Sequence, residues 1–247
     1  MINKLDNHLP AIVTVVMLTG LLLLACMGVA WADGTVIDKI YHPYVQPLER
    51  ELELRTSIED GKSGQFTDRQ TWRLGYGMAF SDNWFGELYV IGEKDSRDSF
   101  HASQYELEAL WQLTEQGEYF ADWGLLFEYE IGDSDDIMEF STALLVEKEW
   151  QRWTGTANLH LIYEFGDDIQ NEFESALALQ VRYRLAMKLE PAFEFYRSED
   201  VTAAGPVLMG NWRFSNARRL HWETGLILGL DKSTPDRTFR FLLEFEF

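Results

Sequence analysis

Cysteine is all but missing from this 247-residue chain: the one present, Cys26, sits near the N-terminus. A disulfide framework is therefore excluded, and so is a thiolate metal site. Basic residues are also few, 21 Lys and Arg against 41 Asp and Glu, a formal net charge of −20. That surplus repels phosphate backbones, which excludes nucleic acid as a partner and makes anionic solutes poor candidates for passage. Beyond Ala32 nothing resembles a spanning helix, and no helical period persists. Whatever holds this fold together must be a backbone ladder of strands.

The apolar residues that do run together are confined to the start. Lys4 supplies a positive n-region, Ala11 to Ala32 is almost wholly apolar, and Ala30-Trp31-Ala32 is a small-x-small cleavage site. Residues 1–32 read as a signal peptide, with a mature chain beginning at Asp33. Leu23-Leu24-Ala25-Cys26 also resembles a lipoprotein box, which would lipidate Cys26 instead, but the residues after Cys26 stay apolar. Residues 33–47 do not alternate and contain Pro43 and Pro47, so a paired strand is excluded there. They read as an irregular periplasmic lead-in, able to contact a periplasmic partner.

From Leu48 to Phe247 the chain divides into about twelve segments in which large apolar side chains alternate with charged ones. Successive side chains point to opposite faces only in a strand. In Arg69 to Phe80, for example, Trp72, Leu74, Tyr76, Met78 and Phe80 share one face, with Thr71, Arg73, Gly75 and Gly77 on the other. The last segment sets Phe239, Phe241, Leu243, Phe245 and Phe247 against Arg240, Glu244 and Glu246. This closing pattern, the leader and the strand rhythm resemble a bacterial outer-membrane β-barrel. The resemblance implies a single transmembrane antiparallel up-and-down barrel over residues 48–247, surrounded by outer-membrane lipid. It also implies that the terminal aromatic series is the signal read by the barrel assembly machinery. An even strand count puts both termini on the periplasmic side, with short turns there and longer loops outside. Trp84, Trp111, Trp123, Trp150, Trp153 and Trp212 fall at strand ends, where an interfacial belt belongs.

The face opposite the aromatics becomes the lumen, and carboxylates outnumber bases on it. Glu53, Glu106, Glu108, Glu128, Glu130, Glu164, Glu194 and Glu223 are its main acidic candidates, with Arg73, Arg182, Arg184 and His160 among the basic ones. A water-filled lumen of this kind favours cations, and an Arg182–Arg184 cluster facing the Glu rows would set up a transverse field. The expected function is a passive channel for small polar or cationic solutes. The alternative from the same residues is a structural or partner-anchoring barrel, its lumen closed by internal salt bridges.

An outer-membrane lipid hydrolase would need His, Ser and Asn together on the lipid-facing side. His160 and His221 fall instead on the lumen face, and no nucleophile, zinc or phosphate-loop motif is present. No catalytic residue or cofactor is assigned. Asp133, Asp135 and Asp136, then Asp167 and Asp168, make two acidic loop tips without the spacing of a calcium loop, so no metal ligand is named.

Overall fold

The structure, a computed structural model, describes residues 37–60, 69–94, 99–132, 137–166, 169–215 and 218–247. The leader, its cleavage site, Cys26 and the two acidic loop tips lie outside the described residues. Twelve strands follow one another: β1 (Arg50–Asp60), β2 (Gln70–Ser81), β3 (Trp84–Lys94), β4 (His101–Gln112), β5 (Asp122–Gly132), β6 (Ile137–Trp150), β7 (Trp153–Gly166), β8 (Glu172–Tyr183), β9 (Glu190–Arg197), β10 (Thr202–Ser215), β11 (Arg218–Gly229) and β12 (Arg237–Glu246). Each pairs antiparallel with its sequence neighbours, and β12 returns to β1, so the sheet closes into an up-and-down barrel. In the closing seam Glu53 lies opposite Glu244 and Leu54 opposite Leu243. Closure removes the free edge that hydrocarbon cannot tolerate.

The alternation read from the sequence becomes the two faces of the wall. Leu74, Leu88, Leu107, Leu161, Val181, Phe193, Leu208 and Phe239 are all exposed on the outside, an apolar surface far larger than a soluble monomer carries. The expected tryptophan belt is present at the end where β1 begins and β12 ends. Trp84 stacks on Trp111 at 5.2 Å, and Trp123, Trp150, Trp153 and Trp212 are exposed beside them. Residues 82–83 and 151–152 make short turns at that end, but the β4–β5 connection is longer. Residues 113–121 form a loop tied down by Gly117 N–H donating to Asp122 Oδ1 at 2.7 Å and Trp123 N–H to Thr114 Oγ1 at 2.9 Å.

The segment before β1 corrects the sequence reading. As expected, its described residues contain no strand, but they do not form a lead-in outside the barrel: residues 37–45 lie in the lumen. The chain leaves the lumen at a turn in which Glu49 N–H donates to Gln46 O at 3.2 Å, and Leu48 takes a left-handed φ of 68°.

Candidate functional site: a lumen occupied by its own chain

Why residues 37–45 lie inside the wall follows from what faces inward at mid-height. The inward row is not uniformly polar: Leu126, Leu145, Val207, Met209, Ile227 and Leu242 interrupt it, all buried. Ile37 and Ile40 pack with Tyr196, Val207, Met209 and Ile227, while Tyr41 packs with Leu126, Ala143 and Leu145. Each buried isoleucine contributes about 1.5–3 kcal/mol relative to exposure. Water leaving these apolar patches is what draws the segment in.

Polar contacts then fix its register. Asn158 takes both backbone groups of Tyr41, and Val45 N–H donates to Gln112 Oε1 at 2.7 Å. The Tyr41 hydroxyl donates to Glu108 at 2.6 Å, Tyr44 to Asp122 at 2.8 Å, and His42 pairs with Glu147. Lys39 Nζ lies 2.6 Å from Glu53 and 3.5 Å from Glu244. Asp38 is held at four points: its carboxylate lies 3.1 Å from Arg55 and 3.5 Å from Arg73, and its carbonyl accepts from Arg240 at 2.7 Å and from the Tyr196 hydroxyl at 2.8 Å. The segment is thus bound by side chains of the wall and nowhere joins the ladder.

Most predicted lumen residues meet in this network. Glu53 and Glu108 contact the segment directly, and Arg73 bridges Asp38 to Glu106, with Glu130 at 4.0 Å. Glu194 and Glu223 share Arg240, at 2.6 and 2.8 Å. His160 lies 3.6 Å from Glu128, which also accepts from Ser141. Arg182 and Arg184 do not form the cluster expected of them. Arg182 lies 3.5 Å from Glu190 and 4.0 Å from Glu147, and Arg184 makes a two-point pair with Glu149, both contacts at 3.0 Å, near the rim. Parity gave their side of the sheet but not their height in the barrel. The central bases are instead Arg55, Arg73 and Arg240, all three on the lumen face by parity, of which only Arg73 is among the selectivity candidates read from the sequence.

From Glu106 onward the wall carries a row of carboxylates. Across β4, β5, β6, β7 and β8, Glu106 faces Glu130, Glu130 faces Glu139, Glu139 faces Glu164, and Glu164 faces Glu172. Like charges directly opposite destabilise a sheet, so this row does not contribute to folding; it makes that wall attractive to cations. Nearer the end where β1 begins lies a cavity of about 320 Å³, lined by Lys39 and Tyr41 of the inner segment together with Glu51, Phe85, Glu87 and Leu242.

The two histidines do not assemble a hydrolytic site. His221 Nδ1 lies 3.2 Å from Asn211 Oδ1 and its Nε2 3.0 Å from Glu223, so both ring nitrogens are engaged. Among the described residues neither His221 nor His160 bonds a serine or threonine hydroxyl.

No protein-family model and no curated protein matches the sequence. The fold is similar to several solved structures. One is an outer membrane channel from Pseudomonas putida F1, at 12% identity over 87% of this chain and 99% of that one, TM-score 0.56. A second is the translocator domain of the autotransporter NalP from Neisseria meningitidis, at 12% identity over 82% and 89%, TM-score 0.51. A third is the KdgM porin, at 10% identity over 80% and 98%, TM-score 0.50. At these identities the likeness establishes the fold, and the fold is that of the bacterial outer-membrane β-barrels.

Proposed function

We propose that this chain is a bacterial outer-membrane channel for small polar or cationic solutes, closed in the present state by its own residues 37–45. The observation that carries the proposal is the Glu106–Glu130–Glu139–Glu164–Glu172 row beside an occupant that is not part of the wall. A closed structural barrel gains nothing from opposed carboxylates, whereas a conducting one gains cation preference from them. Twelve strands enclose a bore between the side-chain-filled interior of eight and the aqueous channel of sixteen. A segment threaded through such a bore blocks it, and its departure opens a path. The channel and porin among the similar structures are consistent with this use of the fold.

A second reading also has an observation in its favour. Arg55, Arg73 and Arg240 converge on Asp38 and neighbouring glutamates, and a network so well paired could close the lumen permanently. Planar-bilayer conductance separates the two. The full chain should pass little current, and deleting residues 37–45 should produce steady, cation-selective openings. No current from the folded deletion variant would leave the closed structural barrel as the better account.

A further inference from the structure

We infer that the cavity beside residues 39–44 is a binding site for an organic ammonium ion, held by Glu51 and Glu87 with its apolar part against Phe85, Leu110 and Leu242. The role of such a ligand as a passing solute rests on the channel reading; its binding does not. At about 320 Å³ the cavity reaches the size of small-molecule sites. Its lining runs from Glu108 and Leu126, within the strands, to Gln116, an exposed residue of the β4–β5 loop.

Most carboxylates lining this cavity are already engaged. Glu147 has His42 and Thr156, Glu149 has Arg184, and Glu223 has Arg240 and His221. Glu244 has Lys39 at 3.5 Å, Glu49 has Arg219 at 4.0 Å, and Glu108 has the Tyr41 hydroxyl. Glu51 and Glu87 are left over. Neither forms an ion pair among the described residues, though they are only 5% and 3% exposed, and Oε1 of Glu87 has no hydrogen-bond partner. A buried carboxylate without an ion-pair partner is expensive, and a cation from outside would supply one.

The kind of cation follows from the neighbours. Carboxylate oxygens of Glu51, Glu53 and Glu87 lie within 4.8 Å of one another, and the Lys39 ammonium already sits on Glu53 in that group. The cluster therefore accommodates one alkylammonium, that of Lys39, beside two carboxylates that form no ion pair among the described residues. A bare divalent ion seeks oxygen on every side, whereas Ile40, Phe85, Leu110, Leu126 and Leu242 make up part of this cavity's lining. Carboxylates and carbon side by side in one lining, Glu87 next to Phe85 on β3 and Glu108 next to Leu110 on β4, suit an ammonium with a short hydrocarbon body.

The test uses the full-length folded barrel in deuterated detergent, titrated at constant ionic strength with n-butylammonium chloride and followed by saturation-transfer NMR and calorimetry. Saturable one-to-one binding is expected, with n-butanol and sodium butyrate at least tenfold weaker. Partition into micelles alone would be unsaturable and shared by butanol. Joint substitution Glu51→Gln and Glu87→Gln should weaken butylammonium binding at least tenfold; if that variant does not fold, the three-probe comparison on the unchanged protein decides. Absence of saturable binding, equal binding of butanol, or undiminished binding by the folded double variant overturns the site. Bilayer recordings remain a separate matter: a barrel that binds butylammonium yet conducts nothing after deletion of residues 37–45 keeps the site and loses the channel.

Discussion

Asn158 clasps Tyr41 by both backbone groups: its Nδ2 donates to the Tyr41 carbonyl at 2.9 Å, and its Oδ1 accepts from the Tyr41 N–H at 2.8 Å. One wall side chain thereby supplies what a neighbouring strand would have supplied, in a place where Asn158 is fully buried. Replacing it with Leu keeps the volume and strands two backbone groups, each costing about 1–3 kcal/mol when buried unsatisfied. Asn158→Leu should therefore loosen residues 37–45 without unfolding the barrel. With the chain's one natural cysteine removed by Cys26→Ser, a cysteine placed at Ile40 reports directly. Its maleimide labelling should accelerate at least tenfold in the Asn158→Leu background, and unchanged labelling would show that the clasp does not hold the segment.

The wall was legible because a strand's period of two survives any tertiary context: Leu74 and Leu107 point outward, Glu106 and Glu108 inward, as counted from the sequence. The inner segment was not legible. Residues 37–45 have no period, and their partners, Asn158, Gln112 and Arg240, are scattered over strands β7, β4 and β12. One signal was available in Leu126, Leu145, Val207, Met209, Ile227 and Leu242. These fall by parity on the face assigned to water, which is where something apolar had to be waiting. The misplaced Arg182–Arg184 cluster has the same origin, since alternation assigns a side chain to a face and says nothing about its height or partner.

Gly75 and Gly77 of β2 give the inward rings of β3 their room. A Cβ at Gly75 would fall 2.5 Å from Tyr89 Cε1 and 2.6 Å from Glu87 Oε1, and one at Gly77 would overlap Phe85 Cζ. Tyr89 is nearly fully buried and donates to Glu53 at 3.1 Å, so it has little freedom to yield. Overpacking of this sort costs about 1–3 kcal/mol. Gly75→Ala should lower the urea midpoint of the heat-modifiable barrel, while an outward exchange such as Leu74→Ile should leave it almost unchanged. Equal midpoints for Gly75→Ala and the parent would mean that Tyr89 relocates freely.

The loop between β11 and β12 carries a pH-sensitive turn. Burial pushes the Asp231 carboxyl up, but hydrogen bonds from Thr234, Thr202 and Ser233 outweigh it and hold the pKa down at about 2. Its Oδ1 accepts from Thr234 Oγ1 at 2.6 Å and from Thr234 N–H at 2.9 Å. A depressed carboxylate pKa stabilises the folded loop above the unfolded value of about 3.9, and that contribution disappears as pH falls through the folded one. Protection of the Thr234 amide from exchange should be flat down to about pH 4 and lost between there and about pH 2. Asp231→Asn should abolish that dependence, and loss of protection beginning near neutral pH would contradict the assignment.

Adjacent residues of β4 should separate assembly from selectivity. Leu107 is half exposed on the outer face, whereas Glu106 is buried in the lumen, paired with Arg73 and directly opposite Glu130. An arginine at position 107 enters hydrocarbon and costs about 2–4 kcal/mol near the midplane. Leu107→Arg should therefore reduce folding into lipid vesicles. Glu106→Gln with Glu108→Gln should spare folding but remove charge from the lumen wall. In the variant opened by deleting residues 37–45, reversal potentials across a salt gradient should then show a weaker preference for cations. In the opened parent the same preference should shrink at high ionic strength, where screening shortens the reach of each charge to about 3 Å at 1 M. An opened barrel that prefers anions, or whose preference ignores both the substitutions and the salt, would detach selectivity from the carboxylate row and place it elsewhere along the path.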